Sequence, residues 1–253
     1  MSQQLKQIVG IEEDFWFSFS GVNCEGIPFE VLSIPFILNI APVVWISGCK
    51  LSLQSMDSQL KDSLCTLKSV FEQMYPNVCW NGEIICKSTV EFNKAKVQKT
   101  DCLPVSVVLF SGGLDSIATP FNHAEERQAL LSIRGADIGL NDDVGWQTVR
   151  ESTEKYILEH GFYNYYVESN FVKLFLSLKL KQYPQIPNWW AYVQYGMGLV
   201  SFMAIPAFLE NAKIGYIGST HTDAFKGKLW GSKPEIDNNI FWSNFSVVHD
   251  CYE

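Results

Sequence analysis

The stretch that most restricts how this chain can fold is Val105-Ser106-Val107-Val108-Leu109-Phe110 running directly into Ser111-Gly112-Gly113-Leu114-Asp115-Ser116. A short, nearly continuous apolar run closed by glycines reads as a strand buried on both faces, which is how strands of a parallel sheet look in sequence. The glycines let the backbone turn with few steric limits, so successive N–H groups can face one concavity. A helix opening at Leu114 adds its unpaired N-terminal N–H groups and the positive end of its dipole. Ser111 and Ser116 bring hydroxyl donors, and Asp115 brings a carboxylate for a metal ion or for the loop itself. Strand, glycine turn and helix together predict a phosphate-binding corner. The Walker pattern is excluded because it needs a longer glycine spacing and a Lys before its Ser or Thr, and the dinucleotide fingerprint is absent.

The 253 residues suit one large domain or two modest ones, and 47% hydrophobic residues suffice for a core. A net charge of −8 argues against bulk nucleic-acid binding, which calls for a basic surface. No apolar run reads as long enough to cross a bilayer, and Met1-Ser2-Gln3-Gln4 carries no signal-peptide pattern. The seven cysteines are scattered and odd in number, which predicts free, mostly buried thiols. With no Cys-x-x-Cys pair, no zinc site is expected. A bacterial-type cytosol is the expected location.

Residues 1–100 read as an α+β accessory domain. Phe15–Phe19, a segment within Ile27–Ile40, and Val43–Ser47 are strand candidates. Leu60, Leu64, Leu67, Val70, Phe71 and Met74 recur at helical spacing between Ser55 and Tyr75. Asn81-Gly82, between Val78-Cys79-Trp80 and Glu83–Cys86, predicts a hairpin. The polar segment Asn93–Thr100, with Lys94, Lys96 and Lys99, reads as a linker.

Residues 101–253 read as a second domain with a Rossmann-like parallel sheet. Strands are expected at Val105–Phe110, Ala129–Ile133, Tyr163–Val167 and Ile214–Gly218. Helices are expected from Leu114 to about Pro120, over Trp146–His160 and Phe171–Leu180, and as one long apolar helix over Trp190–Asn211. Alternation of this kind implies a parallel sheet covered on both faces, with its ligand at the carboxyl ends of the strands. That topology brings Asp115, Asp137 and Asp223 towards one crevice, where carboxylates would hold Mg²⁺ against a triphosphate. Arg134 follows the second strand and is a candidate phosphate ligand; Asp142 and Asp143 read as helix-start residues. Lys226, Lys228 and Lys233, around Trp230, form a loop able to close over phosphate. His221 ranks below the carboxylates, and His123, His160 and His249 show no ligand spacing.

Ser111–Ser116 resembles the PP-loop of the ATP pyrophosphatase superfamily, whose members split ATP between its α and β phosphates. Residues 105–240 resemble, more narrowly, the 7-cyano-7-deazaguanine synthase family. Val193-Gln194-Tyr195-Gly196-Met197 stands where that family has a glycine-containing helix entry. Gly218-Ser219-Thr220, Asp223 and Gly231-Ser232-Lys233-Pro234-Glu235 are similar to its substrate-pocket segments, with Ser232 and Lys233 in place of Cys and Arg. The family's cysteine-rich zinc motif is not present, and the ending at Val247–Glu253 reads like the start of a further element, as in a C-terminally truncated domain. Extended homologues of this kind resemble proteins of bacterial anti-phage gene clusters.

The resemblance implies ATP and Mg²⁺ as cofactors and adenylation of a carboxylate on a 7-deazaguanine-like acid, ending in an amide, nitrile or conjugate. It implies nucleotide contacts at Ser111, Gly112, Gly113, Leu114, Asp115, Ser116, Arg134, Gly218 and Ser219. Substrate contacts fall to Gln194, Thr220, Asp223, Trp230, Pro234 and Glu235, with Asp115, Ser111 and Lys233 as the reactive set and Asp115 and Asp223 as metal ligands. Trp189, Trp190, Phe225 and Trp230 are aromatic candidates to sandwich a flat heterocycle, with Trp189 the one expected in the core. Two further readings stand beside this one: adenylation of another acid or amide, as in asparagine synthetase-like or tRNA-modifying enzymes, and a non-catalytic ATP-binding subunit that docks a protein partner through residues 1–100.

Overall fold

A computed structural model describes residues 13–91, 105–175, 186–218 and 228–250. Its centre is a seven-stranded sheet. In chain order the elements are β1 (Phe17–Phe19), α1 (Phe29–Leu32), α2 (Ile34–Ser47), β2 (Lys50–Asp57), α3 (Ser58–Met74) and β3 (Glu83–Val90). They continue with β4 (Val105–Leu109), α4 (Leu114–Asn122), β5 (Arg127–Arg134), α5 (Asp143–His160), β6 (Tyr163–Ser169) and α6 (Phe171–Phe175). A π-helical turn at Trp190–Gln194 precedes α7 (Tyr195–Ser201), α8 (Ala204–Glu210), β7 (Ile214–Gly218), α9 (Pro234–Asp237), β8 (Phe241–Trp242) and β9 (Phe245–Asp250).

Strands lie in the order β1-β6-β5-β4-β7-β9-β8. The five from β6 to β9 are parallel, and β1 and β8 close the edges antiparallel. The chain therefore builds outwards from β4 to β6, then returns to β4's other side with β7. This is a Rossmann-like order with its switch point between β4 and β7. The four expected strands are present, each within a few residues of its sequence bounds, and β9 is a fifth parallel strand that the sequence reading left unassigned.

Both faces of β4 are covered, as its composition requires. Val107 and Leu109 face a large core that takes in α2, α7 and α8, while Val108, with Phe110 just beyond the strand, packs with Leu130, Tyr216, Ile117 and Tyr156 on the α4–α5 side. Segments before residue 91 share the larger core: β1 pairs with β6, α2 packs on α7, and α3 packs on β8.

Two readings of that early region are corrected. Ile27–Ile40 and Val43–Ser47 are not strands; from Ile34 they form one helix, with Pro35 in its first turn and Gly48 closing it at φ 66°. Ile, Val and Trp favour strands locally, but a 14-residue run apolar all round is too long for a strand and suits a buried helix. Asn81-Gly82 is not a hairpin turn either, because β3 pairs with β2 in parallel. Gly82 donates its N–H to the Trp45 carbonyl, and any Cβ there would collide with the Val44 carbonyl oxygen. Glycine is needed for close approach to the end of α2, not for chain reversal.

Other expectations also change. The long apolar helix is divided: Trp190–Gln194 has π geometry, and the run is interrupted at Phe202-Met203. By length and composition Trp190–Glu210 is apolar enough to cross a membrane, contrary to the sequence reading, yet 72% of its most apolar 18-residue window is buried inside the molecule, as in a core helix. The helix from Leu114 continues through Pro120 to Asn122. The five described cysteines are free, as expected, but Cys65 and Cys79 are exposed and the others only half-buried.

One carboxylate ties the N-terminal elements to the sheet's far edge. Asp57, fully buried, caps α3 by accepting from Leu60 N at 2.8 Å, and accepts from Ser243 N at 3.1 Å and Ser243 Oγ at 2.7 Å. Asp57→Ala strands these donors and should cost about 2–3 kcal/mol in urea denaturation, the sum of a lost cap and an unsatisfied buried donor. A loss below ~0.5 kcal/mol would show that Asp57 is not a tie.

Candidate functional site

Beyond β4 the chain turns through Gly112, whose φ of +79° excludes most side chains. The turn is held from within. Ser116 Oγ donates to Gly113 O at 2.9 Å and accepts from Ser111 N at 3.3 Å, while Ser111 Oγ accepts from Gly113 N at 3.3 Å. The two hydroxyl oxygens lie 3.2 Å apart. No side chain caps α4, whose first residue Leu114 is 82% exposed. The end of β7 presses on this helix: a Cβ on Gly218 would sit 3.0 Å from Asp115 O. Glycine at 218 lets the strand end and the loop share one corner.

That corner opens into a cavity of about 410 Å³ at the carboxyl ends of β4, β5 and β7. Leu109, Leu131, Ile133, Trp146, Leu199 and Ile217 make its apolar walls. Its polar groups are Ser111, Asp115, Ser116, Ser132, Asp137, Tyr195, Ser232 and His249. Ser132 Oγ donates to Phe110 O at 2.8 Å, tying β5 to the entry of the loop.

A second rim comes from the chain after residue 228. The π-helical turn leaves Ala191 O to accept from Gly231 N at 2.7 Å, and Gly231 O accepts from Gly196 N at 2.9 Å. This clasp sets Trp230 against Tyr195, ring centres 5.7 Å apart, and delivers Ser232 to the cavity. Burial first, then the charges of Asp137, Asp237 and Asp115, push the Tyr195 phenol up to about 12. Several carboxylates thus bear on one phenol at the cavity wall, and it stays protonated at neutral pH.

Behind the wall, Asp237 is wholly buried. Its Oδ2 accepts from Ser232 Oγ at 2.6 Å and lies 2.7 Å from His249 Nδ1. Burial pushes the Asp237 carboxyl above the ordinary range, and the hydrogen bonds and charge of His249, with the Ser232 hydroxyl, oppose that push.

The sequence-predicted residues divide into three groups. Ser111, Gly113, Asp115 and Ser116 line the cavity together with Asp137 and Gly218, while Gly112 and Leu114 shape the loop from outside the wall. Several others face elsewhere. Arg134 is 8% exposed and pins the β5–α5 loop, donating to Leu140 O at 2.9 Å, to Asp143 Oδ1 and, at 3.3 Å, to Glu168 Oε1. Gln194 is buried, donating to Asn39 Oδ1 at 2.7 Å and to Phe171 O at 3.2 Å. Lys233 pairs with Glu235 at 3.5 Å; neither they nor Pro234 form part of the cavity wall. Ser219, Thr220, His221, Asp223, Phe225 and Lys226 lie outside the described residues. Trp189 is core, as expected.

The sequence reading passed over Tyr195, Asp237 and His249. A signal for His249 was available: in Phe245-Ser246-Val247-Val248-His249 it occupies the alternate, inward-facing position with Phe245 and Val247. Asp237 had none, since only the fold brings it to His249.

Compared with known protein families, characterised proteins and solved structures, the chain has no significant match. Fold and site therefore define the class alone: an α/β protein with a mostly parallel sheet and a glycine-turn cavity at its switch point.

The placement of Arg134 separates a structural role from a ligand role. Arg134→Met should lower stability by about 1–2 kcal/mol, since most of its carboxylate partnership is with solvent-facing groups. Unchanged stability with weakened Mg·ATP binding would instead return Arg134 to the ligand.

Proposed function

We propose that the protein is an ATP-dependent adenylating enzyme, which releases pyrophosphate and passes AMP to the carboxylate of a flat heterocyclic acid of the 7-deazaguanine type. The observation that carries this reading is the position of the Ser111–Ser116 turn at the carboxyl end of the central strand, on the wall of the 410 Å³ cavity. Backbone N–H groups of a glycine turn and a fresh helix start suit phosphate oxygens. The apolar walls suit a purine-like base, and Tyr195 with Trp230 offers aromatic surface at the rim.

Asp115 and Asp137 are carboxylates on that wall, a donor set that fits a hard divalent cation, and they are the residues that would hold Mg²⁺. Such an ion, when bound, would neutralise phosphate charge. The chain's own part in the reaction is positioning. The Ser111 hydroxyl and loop N–H groups outside the turn's own hydrogen bonds would hold the β and γ phosphates, with Ser116 keeping the turn in shape, so that the acid attacks the α phosphorus in line with the leaving pyrophosphate. The apolar walls would keep water from the resulting acyl-adenylate until an amine or ammonia displaces AMP.

One observation favours a second reading within the same chemistry. Lys233, which stands where the resembling family has arginine, is engaged by Glu235 away from the cavity wall. That favours an acid other than 7-carboxy-7-deazaguanine.

Pyrophosphate release from Mg·ATP, with and without 7-carboxy-7-deazaguanine, tests both. Release that requires this acid supports the first reading; release that requires a different heterocyclic acid supports the second; none with any acid, with ATP bound, overturns adenylation. Asp115→Ala should lower acid-dependent release by about 10²-fold or more with far-UV circular dichroism unchanged. Release at the wild-type rate would remove Asp115 from the chemistry.

A further inference from the structure

A phenol hydroxyl taken out of water needs a partner, and several tyrosines show how this fold supplies one. Tyr75 donates to Tyr192 O at 2.7 Å, Tyr165 to Glu210 Oε1 at 2.6 Å and Tyr216 to Glu126 Oε1 at 3.0 Å. Tyr195 departs from that pattern. Its hydroxyl meets no hydrogen-bond partner among the described residues, yet the oxygen is not sealed away. The residue lines the cavity, and two of the three carboxylates whose charges bear on its phenol, Asp137 and Asp115, line it as well. The hydroxyl end of the ring is therefore on the cavity side, open to a ligand.

That end is held in place. Tyr195 N donates to Trp190 O where the π-helical turn passes into α7. The ring packs against Trp190, centres 5.0 Å apart, and against Trp230, 5.7 Å. The next residue, Gly196, donates its N–H to Gly231 O at 2.9 Å, and a Cβ there would fall 2.6 Å from that same oxygen. A donor fixed by packing before its ligand arrives loses little freedom on binding. The surroundings also choose the acceptor. Three carboxylates bear on the phenol, Asp137 foremost, so an anionic oxygen brought to it is opposed while a neutral carbonyl oxygen is not. Trp190 and Trp230 beside it suit the flat ring that would carry such a carbonyl.

We propose that Tyr195 is a specificity-determining residue: its hydroxyl donates a hydrogen bond to a ring carbonyl of the heterocyclic acid and selects acids that carry this acceptor. The role rests on the adenylation reading above and names the feature by which the acid is chosen. A carbonyl oxygen set against Tyr195 satisfies the hydroxyl, whereas an acid without it leaves that hydroxyl deprived of both water and partner. In the free protein the hydroxyl is spent on none of the described residues, so its removal takes no hydrogen bond from the described fold.

The test crosses two proteins with two acids. Wild type and Tyr195→Phe, each as the full chain with Mg²⁺ and a non-hydrolysable ATP analogue, are titrated calorimetrically. The acids are 7-carboxy-7-deazaguanine, or whichever heterocyclic acid supports pyrophosphate release, and the same acid with its ring carbonyl removed. Wild type should bind the carbonyl acid about tenfold more tightly or better, and Tyr195→Phe should bring the two within about twofold by weakening the carbonyl acid alone. In pyrophosphate release the variant should raise the KM for the carbonyl acid by the same factor, with kcat and the KM for ATP unchanged. The urea midpoint should also be unchanged, since phenylalanine keeps the ring contacts with Trp190 and Trp230. A role confined to packing predicts equal weakening of both acids, and that result overturns the proposal. So do wild-type discrimination kept by the variant, a loss confined to ATP, and a wild type that does not distinguish the acids; in each, continued acid-dependent release leaves adenylation standing. Release absent from the wild type with every acid overturns adenylation itself, and the selection by Tyr195 falls with it.

Discussion

The structure depends on β4 being covered on both faces and paired on both edges. A strand with β5 on one side and β7 on the other satisfies its backbone groups entirely within the sheet. Its alternate side chains then need two separate layers, and the molecule supplies them: α2, α7 and α8 over Val107 and Leu109, α4 and α5 over Val108. Because the chain leaves β4 in one direction and returns on the other side, the loops after β4 and β7 diverge, and a crevice opens between them. The cavity is a consequence of strand order, and the Ser111–Ser116 turn lies in it because it directly follows the central strand.

The layer over Val107 and Leu109 is built largely from residues far from the loop in sequence. In α2 every residue from Ile34 to Ile46 except the half-buried Phe36 is buried, which requires β1, α7 and the β2–β3 pair to be packed at once. The polar exceptions are paired inside the core. Asn39 donates to Pro35 O at 2.8 Å and to Ser201 Oγ at 3.1 Å, and accepts from Gln194 Nε2 at 2.7 Å. This network joins α2 to the π-helical turn and α7, and the turn in turn holds Gly231. Packing of the N-terminal helix is thereby linked to the placement of Tyr195 and Ser232 on the cavity wall.

What the sequence made legible follows from the range of the forces involved. The Val105–Ser116 stretch could be read because a doubly buried strand and a glycine turn are both local signals, and the parallel pairing of the later strands followed from their alternation with helices. The α2 region could not be read from propensity, since Ile, Val and Trp obey the same hydrophobic demand in a buried helix as in a strand. Asn81-Gly82 misled because a glycine needed for close approach has the same letter as one needed for a turn. Arg134 was assigned to a ligand on its place after a strand and Gln194 on the family resemblance; in the fold Arg134 bonds Leu140, Asp143 and Glu168, and Gln194 bonds Asn39 and Phe171. The pairing of Asp237 with His249 is tertiary in the same sense, although the alternation of β9 already turned His249 inward.

The electrostatics of the cavity bear on what can enter it. Asp115 and Asp137 line the wall, Asp237 lies just behind it, and all three raise the Tyr195 phenol's hold on its proton. The described wall residues offer no lysine or arginine in return. A polyphosphate entering this space alone would meet repulsion from carboxylates in a partly dry site, where charge interactions exceed those in water. Loop N–H groups and hydroxyls offset part of that repulsion as fixed dipoles. A divalent cation offsets more, since it reverses the carboxylates from opponents of phosphate into ligands of its counter-ion. On the proposed reading, a carboxylate-rich wall favours cation and phosphate entering together over either entering alone.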